Sequence, residues 1–370
     1  MHVKAAAVFA ILMACTYLGY PLVAFLLSRL RPRPVAKGLI EPLVTVVLPV
    51  FNEGQRLQAK IANILSQDYP SERLQLVVAD DGSTDGSVEC LKPSPTPMVT
   101  IVSLPARRGK AAALNAAVPL ATGDIVVFTD ARQDLAPHAL RRLVTNFADP
   151  SVTAVSGRLE TSASSADGLF RKYEETLRQW EAAWGSCAGA TGALYAIRRC
   201  AWRPVPEDAI LDDLFISLSA ASRGRLVYER EAVAIDSGDD SARCWKRRLR
   251  TLAGNWQMLL HARQFSGAFS PSTLLQLICH KVLRVLFPFF AAGLLFSLLW
   301  EGGTLLAPAL VAAACGVLVL AACPEARCRS RLSGIAAGLF VAPVEALVRY
   351  ALGRETARWD RHPPRLPAQP

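Results

Sequence analysis

The stretch 5–28 carries no charged side chain and runs straight into Arg29, Arg31, Pro32 and Arg33. Inside hydrocarbon every backbone amide needs an internal partner, so an uncharged run longer than about 20 residues has one main solution, a helix that crosses a bilayer. A cleaved signal peptide is the competing reading. Its apolar core usually spans only about 7–15 residues, and no small-x-small cleavage site follows here. Residues 1–30 are therefore expected to form an N-terminal transmembrane helix.

The other end repeats the pattern. Stretches 285–300 and 302–324 are uncharged and separated by Glu301, which reads as a helical hairpin with a minimal outer turn. A further stretch, 332–352, contains Pro343, Glu345 and Arg349, so a re-entrant or interfacial helix competes there with a full span. Residues 271–352 are expected to form this second membrane region and 353–370 a tail containing Arg354, Arg358, Arg361 and Arg365. The net charge of +10 is not laid out as a nucleic-acid groove interleaved with aromatics. It gathers beside the apolar runs, at Arg29 to Lys37, at Lys246 to Arg250 and at Arg327, Arg329 and Arg331. By the positive-inside rule those flanks face the cytoplasm, which implies a multi-pass protein of the inner (cytoplasmic) membrane with its central domain inside. Nine cysteines without a C-x-x-C pair or a zinc-like spacing read as small buried hydrophobes.

Residues 42–240 have the size and mix of a globular domain. Short β-branched runs at 45–50, 74–79, 100–104 and 125–129 alternate with helical periodicity, as in Leu57, Ile61, Ile64 and Leu65. Strand followed by helix, repeated, predicts an α/β domain with a mainly parallel sheet covered on both faces. Ligands of such sheets bind at the carboxyl ends of the strands. Those ends carry Val50, Asn52 and Glu53 after the first strand, Asp80 and Asp81 after the second, and Asp130 after the fourth. Carboxylates there accept hydrogen bonds from a base or ribose, or hold a hard divalent cation beside phosphates. Neither a G-x-x-x-x-G-K-[ST] loop nor a G-x-G-x-x-G turn occurs, which disfavours P-loop hydrolases and dinucleotide oxidoreductases. Farther on, Trp245, Leu249, Leu252, Trp256 and Leu259 recur at helical spacing beside four basic residues. This makes 241–264 a basic amphipathic helix that either lies on the inner leaflet or packs on the globular domain.

Taken in this order, the motifs resemble glycosyltransferase family 2, the GT-A fold (Rossmann-like) group that includes cellulose, chitin and hyaluronan synthases and polyprenyl-phosphate sugar transferases. The resemblance covers about residues 44 to 260. It implies that Val50, Asn52, Glu53 and Asp81 hold the nucleoside, with Asp80 beside them, and that the Gly109 to Asn115 stretch brings Lys110 to the sugar diphosphate. It also implies that Asp130 belongs to the Asp-x-Asp element that binds Mg²⁺ or Mn²⁺. The family's catalytic acid pair falls on Asp212 and Asp213, with Asp213 as general base. Glu207-Asp208 is a competing match. Gly189-Ala190-Thr191-Gly192 is similar to the segment under the acceptor, and Arg247 and Arg250 fall in the family's Gln-x-x-Arg-Trp region, beside the donor.

Two departures stand out. The second acid of Asp-x-Asp is Arg132, leaving one carboxylate to share a cation with diphosphate and water. The Gln-x-x-Arg-Trp element reads Arg247-Arg248-Leu249-Arg250-Thr251, and its missing Trp argues against long-chain processive synthesis. Some residues have plainer readings. Asp80 suits a turn, Asp212 a helix cap, and Arg247 and Arg250 lipid phosphates. The function expected is inverting sugar transfer from a nucleotide-sugar donor, with a UDP-sugar the default, to a membrane-associated saccharide or lipid acceptor. The alternatives are a polyprenyl-phosphate monosaccharide transferase and a non-catalytic membrane scaffold that binds nucleotide sugars.

Overall fold

A computed structural model describes residues 2–54, 56–91, 98–161, 166–236, 241–265, 271–300 and 331–357. The expected stretch 302–324 and the tail arginines 358, 361 and 365 lie outside the described residues.

The domain is built on one eight-stranded sheet: β1 (Val44–Val50), β2 (Leu74–Asp80), β3 (Val99–Ser103), β4 (Ile125–Thr129), β5 (Asp134–Leu135), β6 (Val152–Thr161), β7 (Leu194–Arg198) and β8 (Arg225–Asp236). The spatial order is β3-β2-β1-β4-β7-β6-β8-β5. The first four strands are parallel, with Val44 opposite both Leu74 and Ile125. The chain winds outward from β1 to β3 and then returns to the other side of β1, so the strand order reverses between β1 and β4. At such a switch point the loops part and leave a crevice. The far half differs from the expected parallel sheet. There β7 runs antiparallel to both β4 and β6, and β5 antiparallel to β8. Strand β6 pairs in parallel with β8 across two register shifts.

Alternating residues of the central strands go to opposite cores. Val46, Leu48 and Val50 pack with Leu57, Ile61 and Ile64 of α2 (Arg56–Leu65) and with Leu140 and Leu143 of α4 (Ala139–Val144). Val47, Val77 and Ala79 pack on the other face with Ala113, Leu114 and Ala117 of α3 (Lys110–Ala117). The alanine-rich side of α3 lets its axis approach the sheet closely, which brings the residue at its start down to the strand ends.

Among the described residues three helices are long and apolar enough to cross a membrane: α1, continuous over residues 2–30, α8 (Pro271–Trp300) and α9 (Ser333–Ala351). Outward-facing Ile11, Leu18, Leu22, Phe296 and Leu299 leave an apolar surface of the kind lipid covers. Helices α1 and α8 pack together, and Gly293 makes room for a ring, since a methyl there would fall 2.6 Å from Cζ of Phe9. A buried polar joint ties both to α5 (Ala166–Trp184). The Tyr20 hydroxyl donates to Glu181 (2.5 Å). His280 stands between the two acids, with Nδ1 2.7 Å from Glu181 and Nε2 3.0 Å from Glu174, and Arg284 completes the joint on Glu174.

Helix α6 (Asp212–Ala221) precedes β8, and α7 (Ser241–Leu260) follows it. The apolar side of α7, formed by Leu249, Ala253 and Trp256, packs on Ala342 and Ala346 of α9 and on Ile210. The Trp256 indole donates to the carbonyl of Pro343 (2.9 Å). Of the two readings of this amphipathic helix, packing on protein accounts for its apolar face. Because Leu48 is fully buried between β1 and its covering helices, Leu48→Ala is expected to cost about 2–5 kcal/mol, seen as a lowered thermal midpoint of the detergent-solubilised protein.

Candidate active site

The acidic strand tips are held by one another's loops. Val50 pairs with Asp80, so β1 and β2 end flush. Beyond them Asn52 takes a left-handed backbone (φ 55°), which Asn tolerates better than most residues. Its amide donates to Oγ of Ser83 (3.0 Å), and its Oδ1 accepts from the amide of Thr84 (2.8 Å). The Gly54 amide donates to Asp85 (3.0 Å). Asp80 accepts from the amide of Ser83 (2.9 Å), which is the turn role read as its plainer alternative. Asp81 is fully buried and accepts from the amides of Arg108 (2.7 Å) and Gly109 (2.8 Å). Gly109 has φ 110°, a conformation that excludes most side chains. Asp81 therefore fixes the loop that launches α3, and with it Lys110.

Lys110 is where the tips converge. Its Nζ lies 2.9 Å from Asp130 and 3.0 Å from Asp212. Burial works against the ammonium, but Asp130, Asp212 and Asp213 outweigh it and hold Lys110 above its ordinary value. Asp212 and Asp213 are the first two residues of α6, and the capping position belongs to Leu211. Asp212 thus acts on Lys110 and is not the helix cap. Asp213 accepts from the Leu214 amide (2.8 Å). Burial pushes its carboxyl up to about 6, with the Asp212 charge adding to the rise and Lys110 opposing it. Gly192 lies against it, since a methyl there would sit 3.0 Å from Oδ2 of Asp213. The competing pair lies elsewhere: Glu207 meets Arg108 at the surface, and the Asp208 carbonyl accepts from Gln257.

Arg132 binds Asp236, which also accepts from Gln133 (3.1 Å). Arg247 of α7 approaches the same carboxylate (3.7 Å). Glu53 is raised above the usual carboxylate range, chiefly by burial, with Asp130 and Asp85 pushing the same way. Arg250 is not brought to Asp130; it lies near the carbonyls of Ile210 (3.5 Å) and Ala357 (3.4 Å). Among the described residues no group of three or more His, Cys, Asp or Glu side chains is gathered to hold a metal. The donor set fits a divalent cation only where Asp130, about one-third exposed at its side chain (32%), shares it with ligand oxygens.

Two residues of this region escaped the sequence reading. Lys60 is buried under the tip of β4, donating to Thr129 (3.1 Å) and to the Gln133 carbonyl, and burial pulls it down to about 8. The signal was present, since a lysine stood on the apolar stripe Leu57, Ile61 and Ile64. Tyr195 lies in β7, a strand that the strand–helix rhythm did not reveal. Removing the Asp81 acceptor leaves two amides without their partner at about 1–3 kcal/mol. In Asp81→Ala, hydrogen exchange at Arg108 and Gly109 is expected to accelerate while the β1 amides stay protected.

Residues 45–204 match the family described as "Glycosyl transferase family 2". An N-acetylglucosaminyltransferase of Bradyrhizobium elkanii is 35% identical over 130 residues, which cover 34% of this chain and 70% of that protein. The poly-beta-1,6-N-acetyl-D-glucosamine synthase of Staphylococcus aureus (strain COL) is 26% identical over 230 residues, 59% of this chain and 55% of that one. In a glycosyltransferase of Haloferax volcanii and an N-acetylglucosaminyltransferase of Rhizobium sp. (strain N33) the match takes in 44% and 30% of their own length. Among solved structures, the mannosyltransferase PcManGT from Pyrobaculum calidifontis, in complex with GDP-Man and Mn²⁺, superposes with a TM-score of 0.73 at 27% identity, covering 95% of this chain and all of that one. The order of acidic tips along the sheet, the matched segment and the whole-chain likeness in fold have one explanation, and the chain belongs to glycosyltransferase family 2, with a GT-A catalytic domain.

Proposed function

We propose that this protein is an inverting glycosyltransferase that moves a sugar from a nucleotide-sugar donor to a membrane-associated saccharide or lipid acceptor, in cell-envelope or exopolysaccharide synthesis. The observation that carries the reading is the contact of Lys110 with both Asp130 and Asp212, with Asp213 beside them, at the carboxyl ends of the parallel strands. In the reaction Asp213 takes the proton of an acceptor hydroxyl. That oxygen bonds to the anomeric carbon as the bond from that carbon to the diphosphate breaks on the opposite face, so configuration inverts. A base near pH 6 suits this work, being ionised at neutral pH yet basic enough to accept the proton. Lys110 is placed to take up charge growing on the leaving diphosphate. Asp130 is the protein ligand for Mg²⁺ or Mn²⁺, which supplies charge neutralisation at the diphosphate when bound. Arg247 faces the donor from α7, and Arg250 braces the loop that enters α6.

A UDP-sugar is the default donor by the family resemblance, and relatives named N-acetylglucosaminyltransferases favour N-acetylglucosamine as its sugar. A GDP-sugar is the second reading, favoured by the complex of PcManGT with GDP-Man across the whole architecture. Thermal stabilisation by UDP-, GDP- and dTDP-sugars separates them. The basic flanks support an inner-membrane, multi-pass arrangement with the catalytic domain cytoplasmic.

Asp213→Asn is expected to lower transfer by about 10²–10⁴-fold with nucleotide affinity kept, and undiminished turnover would remove Asp213 from the mechanism. Since the base must be unprotonated, kcat/KM should fall as pH drops through about 6. In calorimetric titrations with and without Mn²⁺, Asp130→Ala should erase the metal-dependent gain in nucleotide affinity, and an unchanged gain would count against the metal role.

A further inference from the structure

Under the loop that carries Asp130 lies a charge that the mechanism above does not use. Lys60 of α2 is 1% exposed, and its ammonium donates to Oγ1 of Thr129 (3.1 Å) and to the Gln133 carbonyl. Both acceptors are uncharged, and among the described residues no carboxylate forms an ion pair with it. A buried ammonium without a paired acid is costly to keep. A neutral side chain on the apolar stripe of Leu57, Ile61 and Ile64 would avoid that cost, so what the lysine contributes is read from the two groups it holds.

Those groups stand on either side of Asp130-Ala131-Arg132. One cation therefore closes the chain from Thr129 to Gln133 into a loop of fixed width. Each end has a further tie. The Thr129 hydroxyl donates to the Ala193 carbonyl just before β7 (3.0 Å), and the Gln133 side chain donates to Asp236 (3.1 Å), the acid that also binds Arg132. Among the described residues Lys110 is the one side chain bonded to Asp130. A diphosphate competes for Lys110, and once that bond is given up the direction of the Asp130 carboxylate depends on the loop beneath it.

We propose that Lys60 is a positioning residue for the donor's cation, holding Thr129 and Gln133 so that the Asp130 carboxylate and the diphosphate oxygens meet on one Mg²⁺ or Mn²⁺. The assignment rests on the transferase reading above, with Asp130 as the metal ligand. Arg132 stands where a second acid would share the cation, so an error in the direction of Asp130 has no other protein carboxylate to absorb it. Groups that orient a metal ligand are worth about 10–100-fold in metal affinity.

Lys60→Met keeps the length of the side chain and deletes its donors. Thr129→Val keeps the shape at the other end of the bond and deletes one acceptor, should the first variant fail to fold. Asn63→Ala is the structural control: one turn along α2, Asn63 donates to the Leu135 carbonyl (2.9 Å) and accepts from its amide (2.8 Å), so its loss frees the same segment beyond the loop. The full chain in detergent is titrated calorimetrically with UDP or GDP, whichever the unaltered protein binds more tightly, with and without Mn²⁺. In Lys60→Met the gain in affinity on adding Mn²⁺ is expected to shrink by about 10-fold or more, while the metal-free Kd stays within about twofold. Thr129→Val should shrink the gain in the same direction, and Asn63→Ala should lower the thermal midpoint and keep the gain. An undiminished gain in both loop variants would overturn the proposal. So would an equal loss in Asn63→Ala, which marks a structural part only. No nucleotide binding by the unaltered protein sinks the transferase reading and this role together, whereas binding without any Mn²⁺ gain removes Asp130 as a metal ligand, and Lys60 with it.

Discussion

One ammonium group within 3.0 Å of carboxylates from two different elements holds the centre of this molecule together. Asp130 ends β4 and Asp212 opens α6, two positions far apart in sequence that have no direct bond to each other. Three carboxylates gathered without a cation would repel one another and raise one another's proton affinity. Lys110 makes their approach tolerable, and the rest of the architecture serves to deliver it. Asp81 fixes the loop before it, Gly109 supplies the backbone angle that loop needs, and the small side of α3 lets the helix close on the sheet.

The same arrangement divides labour between neighbouring acids. Lys110 lies against Asp212 at 3.0 Å, whereas Asp213 accepts from a backbone amide and is pushed up to about 6, chiefly by burial. Their placement in the first turn of α6 adds the favourable end of the helix dipole. Arg132 stands where the family resemblance implies a second acid, and its guanidinium is bound to Asp236.

The parallel half of the sheet could be read from residue order because each strand buries both faces and therefore stands out as a β-branched run, as in Val44–Val50. Strands β6 and β7 could not, because Ser156, Gly157 and Thr153 break the apolar run and their partners lie far away in sequence. The placing of Asp81 and Asp130 at strand ends followed from their positions after β2 and β4, whereas Asp213 was read from the family resemblance. What each carboxylate does there did not follow, since Asp80 and Asp81 are adjacent in one turn and only the packed loop assigns one to Ser83 and the other to Gly109. Arg247 and Arg250 posed the same difficulty. Residues three apart on a helix are neighbours, so only the tertiary contacts of α7 show that Arg247 meets Asp236 while Arg250 meets Ile210.

Gln257 joins the catalytic and membrane parts of the chain. Its amide oxygen accepts from Ile210 and its nitrogen donates to the Asp208 carbonyl, so α7 holds the segment that leads into the acid pair. That helix rests on α9 through Trp256 and Pro343. The last apolar helix is therefore part of the scaffold under the carboxylates as well as an anchor. A version of the domain trimmed free of lipid-facing segments would lose the floor on which its acid loop is set, and the composition of the surrounding bilayer has a mechanical route to the rate of chemistry.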